Sequence, residues 1–92
     1  MYRIYTFVET ADEGKGTKTK KLVSYAGEVS SNQDLEMVKK TAMLHSDRLQ
    51  GIMVDDQNKQ QYFYGPGKGL KRVRELVEAV EDQVSRIAAG NM

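Results

Sequence analysis

Polar and apolar residues alternate along the first thirty positions, in the pattern of two β-strands joined by a polar loop. The first alternating run covers residues 2–10 and is rich in the aromatic and β-branched side chains that strands favour. The second run covers residues 20–29. Its alternation predicts that the even-numbered side chains, starting with Leu22, lie on one face and the odd-numbered ones, starting with Val23, on the other. The intervening residues 11–19 are polar and contain two glycines. This arrangement predicts a β-hairpin.

The period then lengthens from two residues to about 3.6, the period of an α-helix. Ser31 followed by Asp34 resembles a capping box and marks the start of a helix predicted over residues 32–47. A stronger helical pattern runs from Leu70 to Ala89, with Gly90 as its C-cap. The apolar positions that define the two stripes are Leu35, Val38, Ala42 and Leu49 in the first helix and Leu70, Val73, Val77, Val80, Val84 and Ile87 in the second.

Two short strands, residues 52–55 and 61–64, separate the helices and are joined by a polar turn. Gly65-Pro66-Gly67 ends the later strand, because proline cannot donate to a sheet ladder. The order ββαββα predicts an α+β fold, with a four-stranded, mainly antiparallel sheet and two helices packed on one face. The chain of 92 residues is predicted to form a single domain, residues 1–92.

Composition narrows the class of protein. Hydrophobic residues make up 39% of the chain and charged residues 29%, which is typical of a folded soluble domain. A net charge of +1 gives no global attraction to nucleic acid or membranes, so any electrostatic preference depends on where the charges lie. The absence of cysteine excludes disulfides and thiolate chemistry. The N-terminus lacks the apolar core of a signal peptide, so we expect a cytoplasmic protein.

Residues suited to catalysis are few and scattered, so we expect a non-enzymatic protein with no cofactor and no metal. His45 is the only histidine, and Asp47 two residues later does not have the spacing of a helical metal pair. Residues 55–58 offer oxygen ligands but lack the glycine and the closing glutamate of a calcium loop. No serine lies in a recognised nucleophile motif.

The predicted strand order brings basic residues together at one end of the sheet. If the first strand runs downwards, the first hairpin loop and the glycine-rich segment both arrive at the lower end. Acidic residues, including Glu28 and Asp55, then gather at the upper end. The cations expected at the lower end are Lys15, Lys18, Lys20 and Lys21 of the hairpin and Lys68, Lys71, Arg72 and Arg74 of the second helix. We predict a partner-binding or anion-binding site there.

Gly67, Lys68 and Gly69 precede the second helix, where free N–H groups attract anions and glycine lets a ligand approach the backbone. Cations at a helix start oppose the helix dipole, which favours an anionic partner at this position. The spacing matches neither a P-loop nor a dinucleotide fingerprint. The alternative interpretation is a tight turn whose basic residues are solvated or paired with Glu75 and Glu78.

All five tyrosines fall in predicted strands. If the helices cover one face of the sheet, aromatic side chains line the other. Exposed sheet aromatics beside basic residues either stack bases of single-stranded nucleic acid, form a protein interface or simply pack across strands. The side chains expected on that face are Tyr5, Phe7 and Tyr25, with either Phe63 or the pair Tyr62 and Tyr64.

Phe63-Tyr64-Gly65-Pro66-Gly67, followed by Gly69-Leu70 and Arg72, resembles a stretch in a family of small phage anti-CRISPR proteins that block a type I-F surveillance complex. The family stretch has one more residue between the first glycine and the proline, and the family places its two helices consecutively. The resemblance is confined to residues 63–72, and no residue role is carried over. It implies a phage-encoded inhibitor that docks on a host ribonucleoprotein.

Three functions agree with these patterns. The first is a non-enzymatic binding protein that occupies a surface on a protein or ribonucleoprotein partner, using the basic end and the strand residues Tyr5, Tyr25 and Tyr64. The second is a nucleic-acid or nucleotide-phosphate binding module at the same end, whose affinity would fall steeply with salt. The third is a homodimeric scaffold that uses the outer sheet face or the off-stripe residues Met37 and Leu44 of the first helix.

Overall fold

The structure, a computed structural model, describes residues 1–12, 14–66 and 72–90. The described residues form four strands and two helices in the predicted order, ββαββα. The strands form one sheet in the order β2-β1-β3-β4, and every neighbouring pair is antiparallel. The predicted α+β fold is therefore confirmed. The elements are β1 (Tyr2–Asp12), β2 (Thr17–Val29), α1 (Asn32–His45), β3 (Gln50–Asp56), β4 (Lys59–Tyr64) and α2 (Val73–Gly90).

The two halves of the chain contribute to the sheet in the same way. Each half provides one central strand, β1 or β3, one edge strand, β2 or β4, and one helix. Because β1 and β4 run in the same direction, the loop between β1 and β2 lies at the same end of the sheet as the end of β4. We call this the lower end. The β3–β4 turn and the β2–α1 junction lie at the opposite, upper end.

The hydrophobic core lies between the sheet and the two helices. The sheet contributes Ile4, Ile52 and Val54, all of them fully or almost fully buried. Burying one such side chain contributes about 1.5–3 kcal/mol, so this contiguous core is the main source of stability. The buried helix positions are Leu35, Val38 and Ala42 from α1 and Leu76, Val80, Val84 and Ile87 from α2.

Leu49 does not belong to the core stripe of α1, contrary to the sequence prediction. The helix ends at His45, because Ser46 adopts an extended backbone with φ −118° and ψ 171°. The backbone N–H of Leu49 donates instead to Asp47 Oδ1 at 2.7 Å. Such a local bond from side chain to backbone competes with continuation of a helix. Leu49 therefore lies in the turn that follows, with 49% of its surface exposed.

Two β-bulges in β2 change which of its side chains share a face. Register shifts in the pairing with β1 leave Ala26 and Val23 as extra residues. Each extra residue reverses the alternation of side chains, so Leu22 and Tyr25 lie on the same face. The predicted division into even-numbered and odd-numbered faces is therefore wrong for β2. Gly27 beside the upper bulge has a φ of 126°, which other residues rarely adopt.

Ser31 caps the N-terminus of α1, as its position before the helical pattern predicts. Its Oγ accepts a hydrogen bond from the backbone N–H of Asp34 at 3.1 Å. We expect Ser31→Ala to lower the free energy of unfolding by about 1 kcal/mol, because that N–H loses its partner. Urea denaturation measures the change. Ser30→Ala is the matched control, since Ser30 is exposed; equal effects for both variants would contradict a role for the cap.

Candidate functional site

The face of the sheet turned away from the helices carries the strand aromatics. Ile4 on β1 points into the helix-covered core, so its neighbours in the alternation, Tyr5 and Phe7, point to the other side. Residues that pair with Tyr5 and Phe7 across neighbouring strands lie on the same side of the sheet as these two residues. We call this side the outer face. Its central side chains are Tyr5, Phe7, Leu22, Tyr25, Met53, Tyr62 and Tyr64.

Part of the outer face forms a second small core. Phe7 is fully buried and Met53 is 2% exposed, although neither belongs to the core under the helices. The ring of Phe7 lies 5.1 Å from that of Tyr62 and 5.2 Å from that of Tyr64, edge to face in both pairs. Such pairs contribute about 0.5–1.5 kcal/mol beyond the area that they bury. We call Phe7, Met53, Tyr62 and Tyr64 the aromatic cluster.

Gly51 makes the aromatic cluster possible. It lies on β3 directly between Phe7 on β1 and Tyr64 on β4. Without a side chain at this position, the two rings meet across the strand. A Cβ on Gly51 would also collide with the backbone carbonyl oxygen of Phe63. The predicted strand began at residue 52, whereas β3 begins at Gln50, so Gly51 lies inside the sheet.

The exposed apolar part of the outer face lies along β2. Tyr25 is 50% exposed and Leu22 is 46% exposed. The Tyr25 ring packs 5.0 Å from that of Tyr5, and its hydroxyl donates to Glu28 Oε1 at 3.3 Å. Partial burial, and then the negative charge of Glu28, raise the pKa of Tyr25.

Charge is distributed unevenly along the outer face. At the upper end, Arg3 lies between Glu28 on β2 and Asp55 on β3, and its Nε is 3.8 Å from Glu28 Oε1. Two carboxylates thus face one guanidinium there. Towards the lower end, Lys20 Nζ lies 4.9 Å from the centre of the Tyr62 ring, as a cation–π contact. The face therefore changes from acidic to basic along its length.

The predicted basic residues of the hairpin divide between the two sides of the sheet. Lys18 and Lys20 belong to the outer side together with Glu9, whereas Lys21 lies on the opposite side. Lys15 lies in the turn between the strands. Of these lysines, Lys20 contacts the ring of Tyr62, and Lys18 lies further along the outer side towards the hairpin turn.

Two of the predicted residues near the second helix, Arg72 and Arg74, belong to the helix side of the sheet. Arg72 is exposed just before α2, and Arg74 lies in its first turn, where its Nε bonds to Glu78 Oε1 at 3.0 Å. These arginines and the tyrosines thus lie on opposite sides of the sheet. The remaining predicted residues, Gly67, Lys68, Gly69 and Lys71, lie outside the described residues.

The orientation of β4 decides whether Phe63 or the pair Tyr62 and Tyr64 lies on the outer face. Phe63 packs against the helix-covered core, and Lys39 Nζ of α1 lies 4.2 Å from the centre of its ring. Tyr62 and Tyr64 therefore belong to the outer face. Tyr5, Tyr25 and Tyr64, which were selected from the sequence, all lie on this one surface.

Two exposed residues beside the outer face were not selected from the sequence. Arg48 and Leu49 lie in the turn between α1 and β3, and with Glu9, Ala11 and Lys18 they line a pocket of about 390 Å³. We call it the Arg48 pocket. The backbone N–H of Glu9 donates to the carbonyl of Leu49 at 2.7 Å, which ties the turn to the hairpin. This is a contact between distant parts of the chain, which local periodicity does not reveal.

His45 lies at the end of α1 and adjoins Glu75, Glu78 and Asp82 of α2 in an open depression. Within the described part of the chain, no group of three or more histidine, cysteine or acidic side chains is placed to hold a metal ion. Over the same residues, neither helix has both the length and the apolar character needed to cross a membrane. The chain matched no protein-family model, no curated protein and no solved structure.

Proposed function

We propose that the chain is a non-enzymatic binding protein that uses the outer face of its sheet to occupy a surface on a partner protein. The observation that supports this proposal is the uncovered row of half-exposed Leu22 and Tyr25 beside an aromatic cluster in which Phe7 and Met53 are buried. Tyrosine is enriched at protein interfaces, because it supplies a large contact area at little entropic cost. The packed rings beside the contact residues lower that cost further, because they are already ordered before binding.

The packing of the rings favours a protein partner over single-stranded nucleic acid. Stacking a base requires an open ring face. The rings of Tyr62 and Tyr64 pack edge to face with Phe7, and Lys20 lies over Tyr62. In addition, a phosphate backbone crossing the whole face would approach Glu28 at the upper end. A protein with complementary charges avoids this repulsion.

The size of the outer face agrees with a modest protein interface. Four strands about 4.8 Å apart, with contact residues spread over about ten positions of β2, present roughly 600 Å². A standard interface buries about 800 Å² on each partner. The resemblance to phage anti-CRISPR proteins suggests one partner class, a host ribonucleoprotein complex, and in that case contact would be made with a protein subunit.

Photocrosslinking tests this proposal. A benzophenone amino acid replaces Tyr25 in one variant and Arg86 in another, because Arg86 is an exposed residue of α2 on the helix side. We expect the Tyr25 variant to crosslink to a defined protein in lysate of the source cell, with or without nuclease treatment. The Arg86 variant should not. Crosslinks from Arg86 alone, or only to nucleic acid, would contradict the proposal.

The partner identified in this way allows a quantitative prediction. Replacing Leu22 and Tyr25 together by glutamate is expected to weaken binding at least about tenfold, because central apolar contacts carry most of the energy of an interface. Both side chains are half-exposed, so the variant should still fold. Isothermal titration calorimetry measures the affinity, and circular dichroism checks the fold. Unchanged affinity would show that the interface lies elsewhere.

The same protein variants and binding assays also test the nucleic-acid binding module and the homodimeric scaffold. Steeply salt-dependent binding of a labelled oligonucleotide, lost on Lys20→Glu or Arg72→Glu, would instead support the nucleic-acid module. A crosslink from Tyr25 to a second copy of this chain, with a dimer mass by sedimentation, would support the homodimeric scaffold.

A further inference from the structure

We infer that the Arg48 pocket binds an acidic segment of the partner protein. A carboxylate would lie between Lys18 and Arg48, and an aliphatic side chain next to it in the partner would lie against Leu49. This inference rests on the proposed function in one respect, that the segment belongs to the protein bound at the outer face. The pocket borders that face at its lower end, because Glu9 and Lys18 continue the outer side of the hairpin beyond the aromatic cluster.

The turn that carries Arg48 is held rigidly by Asp47, which is 3% exposed. The Asp47 carboxylate accepts the backbone N–H of Leu49 at 2.7 Å. Its backbone carbonyl accepts the N–H of Gln50 at 3.2 Å and that of Gly65 at 3.3 Å. A turn fixed by three hydrogen bonds presents its exposed residues in one arrangement before any partner arrives. Less conformational entropy is then lost on binding.

The charges of the pocket favour a single carboxylate. Among the described residues, neither Lys18 nor Arg48 forms an ion pair. The planar guanidinium of arginine matches a carboxylate with two parallel hydrogen bonds. Glu9 also lines the pocket, which reduces the net positive charge to that of one cation. One carboxylate balances this net charge of +1, whereas a phosphate dianion would leave an excess negative charge beside Glu9.

The apolar wall of the pocket adds a second requirement. Leu49 is 49% exposed and lies beside Ala11, so an apolar surface borders the two cations. An aliphatic side chain next to the bound carboxylate would remove this surface from water, at about 25 cal/mol per Å². The segment that fits is therefore one in which a glutamate or aspartate stands beside leucine, isoleucine or valine.

Nuclear magnetic resonance titration with two short peptides tests this inference. The probes are the blocked peptide acetyl-Ala-Leu-Glu-Leu-Ala-amide and the same peptide with glutamine in place of glutamate. We expect the first to cause saturable shifts of the amide signals of Ala11, Lys18, Arg48 and Leu49. The glutamine peptide should bind about tenfold more weakly, because it cannot form the charged hydrogen bonds.

Charge reversal provides the matched comparison. Arg48→Glu and Lys18→Glu should each remove the difference between the two peptides, whereas Arg86→Glu on the helix side should leave it unchanged. Arg48 is exposed, so its replacement should not affect folding, and the dispersion of amide signals confirms this in the same spectra.

Each result has a definite meaning. Equal binding of both peptides, or shifts confined to other residues, would overturn the inference. Inorganic phosphate that causes the same shifts at the same concentration would show recognition of charge alone and would also overturn it. If Tyr25 crosslinks to a protein but the glutamate peptide does not bind, only this inference fails. If the peptide binds but Tyr25 gives no protein crosslink, the proposed function fails and the local binding property remains.

Discussion

Gly51→Ala is expected to lower the free energy of unfolding by about 3 kcal/mol or more. The added Cβ would collide with the backbone carbonyl oxygen of Phe63. That carbonyl belongs to β4, so it cannot move aside without disturbing the ladder between β3 and β4. The new methyl group would also enter the space through which the rings of Phe7 and Tyr64 meet. The collision with the backbone cannot be relieved by a side-chain rotation.

Urea denaturation followed by circular dichroism measures this loss. Gly90→Ala is the matched control, because a Cβ there meets no atom within 4 Å and Gly90 is the last residue of α2. The same chemical change should leave stability unchanged or raise it slightly, since alanine favours helices over glycine by up to about 1 kcal/mol. A Gly51→Ala protein as stable as the wild type would show that β4 can shift and that the packing around Gly51 is not tight.

The order of elements was predictable because each element buries one face in the same core. Alternation predicts β1, and a period of 3.6 residues predicts both helices, since Val38 and Val80 contact the sheet through regular stripes. These patterns depend only on local geometry. They do not reveal an inserted residue. The bulges at Val23 and Ala26 therefore reversed the predicted faces of β2. Both strands of the hairpin were predicted, but β1 extends to Asp12 and β2 begins at Thr17, so the loop is shorter than the predicted residues 11–19.

The second core on the outer face could not be derived from periodicity. β1 is apolar on both sides, with Ile4 directed to the helices and Phe7 directed away from them. Alternation predicts two faces but not what covers each one. Phe7 is covered by tyrosines from β4, and their approach depends on a glycine on the strand between them. Tyrosines expected as free contact residues are thus partly structural.

The Arg48 pocket was missed for a related reason. Helical periodicity assigned Leu49 to the stripe of α1, and Arg48 was then an ordinary charged residue near a helix end. The chain leaves the helix because Asp47 bonds to the turn and to Gly65, which lies after β4. A bond between positions so far apart in sequence exists only once the sheet has formed. Charge alone identified the lysines of the hairpin but not the arginine that adjoins them.

Phe7→Ala is expected to lower the free energy of unfolding about as much as Gly51→Ala does, although Phe7 lies on the face of the sheet that the helices do not cover. Phe7 is fully buried, and replacing a buried phenylalanine by alanine costs about 3–5 kcal/mol through lost contacts and the cavity that remains. Domains of this kind are stable by about 5–15 kcal/mol. The variant is therefore expected to remain folded but close to its limit, with a much lower urea midpoint.

Leu22→Ala is the matched control for this prediction, because Leu22 lies beside Phe7 on the same face but is 46% exposed. Its replacement should cost less than about 1 kcal/mol, since roughly half of its surface is already in water. A second measurement follows the Tyr62 and Tyr64 ring protons by nuclear magnetic resonance. They should lose the ring-current shifts from Phe7 only in Phe7→Ala. Similar stability losses in both variants, with unchanged tyrosine signals, would mean that the outer face has no core of its own. Its tyrosines would then be mobile contact residues, and the rigidity from which the proposed interface benefits would be absent.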